Sequence, residues 1–120
     1  MTATSEIAPL SDAWEFDLER FDLALRRRGL ADATRKAYLS DLSQLAVWAS
    51  GREQDATELD LKSLRRYAQQ ISSEGVAASS LARKLASIRA FYATLLERGE
   101  VTQNIAELLK LAALLVFGAL

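Results

Sequence analysis

Apolar residues recur along most of this 120-residue chain at intervals of three and four, the spacing of an α-helix that buries one side. The pattern is clearest in residues 76–99, where the apolar stripe consists of Leu81, Leu85, Ile88, Tyr92 and Leu95, widened by Phe91 and Leu96. The opposite side is polar and consists of Ser79, Ser80, Arg83 and Ser87, with Lys84 and Arg89 at its edges. Because the cations are concentrated in the N-terminal half, this helix can pack into a core and also present a phosphate-binding surface.

The same spacing predicts five helices in all, at about residues 11–28, 32–50, 60–74, 78–98 and 105–117. Ser11 and Asp60 are suited to cap the first and third helices, and Asn104 and Glu107 have the spacing of a capping box before the fifth. Gly29 suits the left-handed position that follows the first helix. No segment has the alternation of a strand, and a chain rich in Ala and Leu with a single proline favours an all-α protein.

The first three predicted helices each have one buried stripe. The stripes are Trp14, Leu18, Phe21 and Leu25, then Tyr38, Leu42, Leu45 and Ala49, then Leu61, Leu64, Ala68 and Ile71. Phe16 and Leu23 lie on the other side of the first helix. Either this helix is covered on two sides within the domain, which we favour, or these side chains contact another domain or protomer. Trp48, at the edge of its stripe, fits a core position better than a stacking platform.

The composition is that of an ordinary globular domain, half hydrophobic and about a quarter charged. We expect a helical domain over residues 11–110, a flexible lead-in at 1–10 and an apolar helical extension at 111–120. The absence of cysteine and histidine excludes disulfides, thiol nucleophiles, zinc sites with Cys or His ligands, and the commonest general base. The acidic start does not resemble a signal peptide and no apolar run is long enough to span a membrane, so we expect a cytoplasmic protein.

Two predicted helix starts combine hydroxyl groups with cations, although the net charge is only −1. They are Thr34, Arg35 and Lys36 in the second helix, and Ser79, Ser80, Arg83 and Lys84 in the fourth. The helix dipole mildly disfavours cations at such a start, so an anionic partner is one explanation for Arg35 and Lys36. Hydroxyls and amides can bind DNA phosphates while long cations reach base edges, but a solvated polar face looks the same. The Arg26–Arg28 run is explained better by the negative end of the first helix.

No catalytic site is predicted. The carboxylates fall at solvated or capping positions, and no two of them share an apolar setting that would separate their pKa values. No glycine-rich phosphate loop occurs, and the serines have no histidine to activate them. Tyr38, Tyr67 and Tyr92 fit core stripes better than they fit the role of a nucleophile. We therefore expect no metal, no cofactor and no small-molecule substrate.

Three segments resemble a known family: TRKAYLSDLSQLAVWA at 34–49, GVAASSLARKLASIRAFY at 75–92 and ERGEVTQNIAELL at 97–109. They look like the N-terminal core-binding domain of tyrosine recombinases of the Xer and phage-integrase type, over about residues 13–111. The most specific part is S-x-x-R-x-L-x-x-I-R-x-F-Y at 80–92. The resemblance implies a SAM-like bundle of four or five helices that clamps one face of DNA, while a separate C-terminal domain cleaves the strands.

The resemblance also implies which residues contact double-stranded DNA. Carried over by position, they are Thr34, Arg35, Lys36, Ser79, Ser80, Arg83, Lys84 and Arg89. The family's catalytic domain has no counterpart in this sequence, so we expect a non-catalytic module that binds DNA weakly on its own. Two positions depart from the family: its usual Asn-Pro is Asn104-Ile105 here, and Ala77 replaces the Ser or Thr that commonly caps the fourth helix.

The end of the chain differs most from the family. In place of a Pro- and Lys-rich linker it has LAALLVFGAL at 111–120, which suggests an excised domain with an altered terminus or an engineered variant. A helix that is apolar all round must be buried on all sides or become an association surface. It either folds back onto its own bundle or, as we favour, forms a homo-oligomer through Leu108, Leu111, Leu114, Leu115 and Phe117. The second hypothesis for the chain is therefore a helical scaffold or interaction module that self-associates.

Overall fold

The computed structural model describes residues 10–110, and within this range the regular structure is entirely helical. The complete helices are α1 (Asp12–Arg27), α2 (Asp32–Gly51), a short 3-10 helix (Ala56–Glu58), α3 (Leu61–Ser73) and α4 (Ala78–Glu97). Residues 105–110 are also helical and begin α5. The all-α prediction is confirmed, and the predicted limits of α1 to α4 are correct to within one residue. The predicted lead-in and C-terminal extension lie, apart from residue 10, outside the described residues.

The predicted helix ends are formed by the expected side chains. Ser11 Oγ accepts a hydrogen bond from the Trp14 amide at 3.2 Å, and Asp60 Oδ1 accepts one from the Ser63 amide at 2.8 Å. After α1, Gly29 has a φ of 74°, the left-handed conformation that glycine adopts without steric cost. These local signals explain why the boundaries could be predicted so closely.

The chain divides into two compact units between Leu59 and Asp60. In the first unit, α1 packs against α2 and the 3-10 helix. Its buried apolar side chains are Trp14, Phe21, Leu25, Leu42, Leu45, Ala46, Ala49, Ala56 and Leu59. Of the predicted stripe positions in this unit, Leu18 and Tyr38 are half-buried instead. Trp48 is also half-buried, and the Arg52 guanidinium lies 4.8 Å from its ring centroid.

In the second unit, α3 packs against α4. The buried apolar side chains of this unit are Leu64, Tyr67, Ile71, Ile88, Phe91, Tyr92, Leu95, Ile105, Ala106 and Leu109. Phe91 and Tyr92 are consecutive, yet both are fully buried, with ring centroids 5.2 Å apart and planes at 88°. This edge-to-face geometry is the one that aromatic quadrupoles favour.

Two predictions about the exterior of α1 and α2 are wrong. Phe16 and Leu23 are 54% and 47% exposed, so within residues 10–110 no second side of α1 is covered. Asp17 and Asp41 are buried, although we expected the carboxylates at solvated or capping positions. The helical period explains this burial, because Asp17 lies between core positions 14 and 21 and Asp41 is four residues before Leu45. Both carboxylates have interaction partners.

Ser87 is a further exception, because it was predicted on the polar side of α4 and is fully buried. Its Oγ donates a hydrogen bond to the carbonyl of Lys84 at 2.7 Å. Thr94 is buried as well, and its Oγ1 donates to the carbonyl of Phe91 at 2.6 Å. A hydroxyl that bonds to its own helix backbone can be buried without leaving an unpaired donor, and the pattern of polar and apolar residues does not reveal this.

Within residues 10–110, no helix is long and apolar enough to cross a membrane.

Candidate nucleic-acid interface

The first predicted contact group lies in the first turn of α2. Thr34 and Lys36 are exposed, but Arg35 between them has only 13% of its side chain exposed. Arg35 Nη1 donates a hydrogen bond to Asp22 Oδ1 of α1 at 2.6 Å, and Nη2 lies 3.5 Å from Asp32 Oδ1. The cation at this helix start therefore has an anionic partner within its own unit.

The Asp22 carboxylate is held by two arginines. The hydrogen bond from Arg35 lowers the pKa of Asp22 below its ordinary value, and Arg26, whose Nε is 3.4 Å from Oδ2, lowers it further. Partial burial opposes both effects. Charge-assisted hydrogen bonds of this length are stronger than neutral ones, so the ionised pair is the stable form at neutral pH.

The second predicted group lies in the first two turns of α4. Ser79 and Arg83 are exposed, whereas Ser80 and Lys84 are half-buried. Hydroxyl and cationic side chains are among the groups that bind nucleic-acid phosphates. The group therefore offers donors of two kinds on one side of a helix.

Arg89, the last predicted contact, lies further along α4 and is tied to the start of α5. Its Nε is 3.7 Å from Glu107 Oε1, and its backbone carbonyl accepts a hydrogen bond from Asn104 Nδ2 at 3.0 Å. Asn104 Oδ1 meanwhile accepts from the amides of Ala106 and Glu107, at 3.1 and 3.3 Å. The Asn104 part of the predicted capping box is thus present, and the carboxylate of Glu107 lies beside Arg89.

The helices that carry these groups, α2 and α4, start differently from the others. Their N-cap residues, Ala31 and Ala77, have no side chain that can accept a hydrogen bond from the first turn. No acidic residue lies in the first turn of α4. A helix start leaves several backbone N–H groups without an intrahelical partner, and together with the dipole they favour an anion.

The structure thus groups the predicted contacts by unit. Thr34, Arg35 and Lys36 share one turn of the first unit, and Ser79 to Lys84 share two turns of the second, with Arg89 beyond them. Sequence reasoning missed Asp22, which precedes Arg35 by 13 residues, because no local pattern connects the two positions.

Of the proposed oligomer contacts, Leu108 is half-buried, while Leu111, Leu114, Leu115 and Phe117 lie outside the described residues. Self-association stays a prediction, testable by light scattering of this chain against one ending at Lys110.

Comparison with known proteins identifies the family. Residues 18–99, about two thirds of the chain, match the family model of the phage integrase N-terminal SAM-like domain. The chain belongs to this family, and the predicted SAM-like fold class is confirmed. Its relatives include the tyrosine recombinase XerC of Pelobacter propionicus, 41% identical over 85 residues that cover 68% of this chain and 28% of the relative.

Other relatives match over a longer part of this chain. The tyrosine recombinase XerC of Xanthomonas campestris pv. campestris is 32% identical over 109 residues, or 89% of this chain and 34% of the relative. The tyrosine recombinase XerD of Chlorobaculum tepidum is 31% identical over 97 residues, or 80% and 32%. The chain therefore spans about a third of the length of the curated relatives it matches. No solved structure matches the chain significantly.

Proposed function

We propose that this chain is the DNA-binding, core-binding part of a tyrosine recombinase or integrase and holds double-stranded DNA for site-specific recombination or integration. The observation that carries the proposal is that exposed hydroxyl and cationic side chains lie near the starts of α2 and α4. The two helices predicted to contact DNA, α2 and α4, begin without a side-chain cap, whereas Ser11 and Asp60 cap α1 and α3. The start of α4, with hydroxyls and cations and no acid in its first turn, is the better suited to phosphate oxygens, because the first turn of α2 also contains Asp32.

The exposed side chains supply the contacts in this proposal. Thr34 and Ser79 donate to phosphate oxygens, while Lys36 and Arg83 neutralise phosphate charge or reach base edges. Ser80, Lys84 and Arg89 are half-buried and act at the margin of the contact. Most of the affinity then comes from phosphate neutralisation, so binding by this chain alone is weak and falls steeply with salt.

We assign strand cleavage to the part of the relatives beyond the match, and no catalytic role to this chain. Tyr67 and Tyr92 are core residues here, 4% and 0% exposed, and Tyr38 is half-buried. A DNA-binding role of this kind implies a location with the chromosome in the cytoplasm.

The test is the salt dependence of binding to a fluorescein-labelled, mixed-sequence DNA duplex, measured by anisotropy. A plot of log affinity against log salt has a negative slope, and each lost phosphate contact reduces its magnitude by about 0.9. The slope of the double variant Arg83→Gln/Lys84→Gln should therefore be smaller in magnitude by up to about 1.8. The matched control is Arg65→Gln/Arg66→Gln, which removes the same charge from exposed positions on α3. Equal slopes for the two double variants, or no salt-dependent binding by the unmodified chain, would contradict the proposal.

A further inference from the structure

Arg35 differs from its neighbours in the first turn of α2. The side chains of Thr34 and Lys36 are exposed, but that of Arg35 is 13% exposed and directed to Asp22 of α1. The 2.6 Å hydrogen bond spans the connection between the two helices and joins the first turn of α2 to the body of α1. It therefore restrains the part of α2 that carries Thr34 and Lys36.

Because only 13% of its side chain is exposed, Arg35 has little surface left to offer a phosphate while it keeps these contacts. Its guanidinium has a second carboxylate, Asp32, at 3.5 Å, although the Asp32 side chain is 86% exposed and that pair is the weaker one. Asp22 is 27% exposed and is shared with Arg26. If Arg35 left Asp22 for a phosphate, it would exchange one ionic partner for another. The loss of the first contact would offset most of the binding free energy gained from the second.

We propose that Arg35 is a positioning residue and not a phosphate ligand, and that with Asp22 it fixes the start of α2 on α1 so that Thr34 and Lys36 face the DNA. This inference rests on the proposed DNA-binding function. It assigns Asp22, an acid, a supporting role in binding a polyanion.

The two roles of Arg35 predict opposite effects of Asp22→Asn. If Arg35 binds a phosphate, Asp22 competes for it, and removing the carboxylate strengthens DNA binding. If Arg35 positions its neighbours, the same substitution loosens the start of α2 and weakens binding, against the simple electrostatic expectation. The sign of the change therefore separates the two roles.

The experiment measures duplex affinity over a range of salt concentrations with the complete 120-residue chain. We expect Asp22→Asn and Arg35→Gln each to weaken binding about fivefold, the effect of losing one charge-assisted hydrogen bond, with no change in salt slope. The double variant should bind no more weakly than either single variant, because both remove the same bond. Lys36→Gln should instead lower the slope by about 0.9. Glu19→Gln, which removes an exposed acid from α1, is the charge-matched control and should not weaken binding.

The outcomes separate this inference from the proposed function. Unchanged or tighter binding by Asp22→Asn, or a slope lowered by about 0.9 in Arg35→Gln, overturns the positioning role while DNA binding stands. Absence of salt-dependent binding by the unmodified chain overturns the proposed function itself. Circular dichroism establishes that each variant is folded. If Asp22→Asn does not fold, Arg35→Gln alone decides, and binding equal to that of the unmodified chain then contradicts the inference.

Discussion

Asn104 and Arg89 are joined through the side-chain amide of Asn104, which uses its donor and its acceptor at once. Nδ2 donates to the Arg89 carbonyl at 3.0 Å, while Oδ1 accepts from two amides in the first turn of α5. One side chain therefore caps α5 and fastens it to α4. Neither aspartate nor alanine can do both, which makes position 104 a sensitive test of how the second unit is held together.

Substitution at position 104 should separate the two bonds. Asn104→Asp keeps the capping acceptor but loses the donor, and should lower the free energy of unfolding by about 1 kcal/mol. Asn104→Ala loses the cap as well and should cost about 2 kcal/mol in all. Urea denaturation monitored by circular dichroism measures both values. Equal effects of the two substitutions would show that the cap contributes nothing.

The indole of Trp14 should matter more than that of Trp48. Trp14 is fully buried and its Nε1 donates to the Gln54 carbonyl at 2.9 Å, so Trp14→Phe removes a bond as well as volume. We expect a loss of about 2 kcal/mol, because the carbonyl is left with an unmet acceptor. Trp48→Phe, at a half-buried ring beside Arg52, is the matched control and should cost less than about 1 kcal/mol. Chemical denaturation of both variants checks the order, and a reversed order would contradict the assignment.

The Asp22–Arg35 pair should give the stability a specific pH dependence. The pKa of Asp22 is lowered in the folded protein, so its contribution is complete above the ordinary value of 3.8 and is lost as the pH falls through the lowered value. Asp22→Asn should therefore melt below the unmodified protein at pH 7, and the two melting temperatures should converge below pH 3.8. Thermal melting between neutral and acid pH measures the difference. A gap that persists unchanged in acid would mean that the ionised carboxylate is not its source.

The uncapped start of α4 should allow stability and DNA binding to be changed separately. Ala77 has the extended backbone of an N-cap, with φ −60° and ψ 148°, so Ala77→Ser and Ala77→Asp should each stabilise the protein by about 1 kcal/mol. Aspartate also places a carboxylate where a phosphate would bind, so only Ala77→Asp should weaken duplex binding, by roughly tenfold. Melting curves and anisotropy on the same samples test both statements. Tight binding by the aspartate variant would exclude this helix start from the contact.

The helices could be predicted because their signals are local. Ser11 and Asp60 are followed at once by the helices they cap, and Gly29 ends α1 by its own backbone preference. Most stripe positions followed for the same reason, since the period of a helix repeats every few residues, although Leu96, predicted to widen the α4 stripe, is 42% exposed. Hence the predicted boundaries needed no knowledge of how the helices pack.

Part of what the sequence did not predict depends on contacts between distant positions. Asp22 and Arg35 are separated by a helix end and a connection, so their bond could not be inferred from either neighbourhood. Ser87 was misplaced because a polar residue is normally assigned to solvent, whereas its hydroxyl is satisfied by its own helix. The candidate site could thus be listed by residue type, but the division between exposed and ion-paired cations required the structure.

The buried pair Phe91 and Tyr92 has a mechanical consequence for α4. Consecutive helical residues point about 100° apart, so burying both rings prevents the helix from rotating about its own axis. Ser79 and Arg83 lie on the same helix, about two to four turns before the two rings, and the packing of the rings therefore also sets their angular orientation. The two buried rings thus fix the rotation of α4 about its axis. Side chains that contact no ligand therefore determine which way the exposed residues near its N-terminus face.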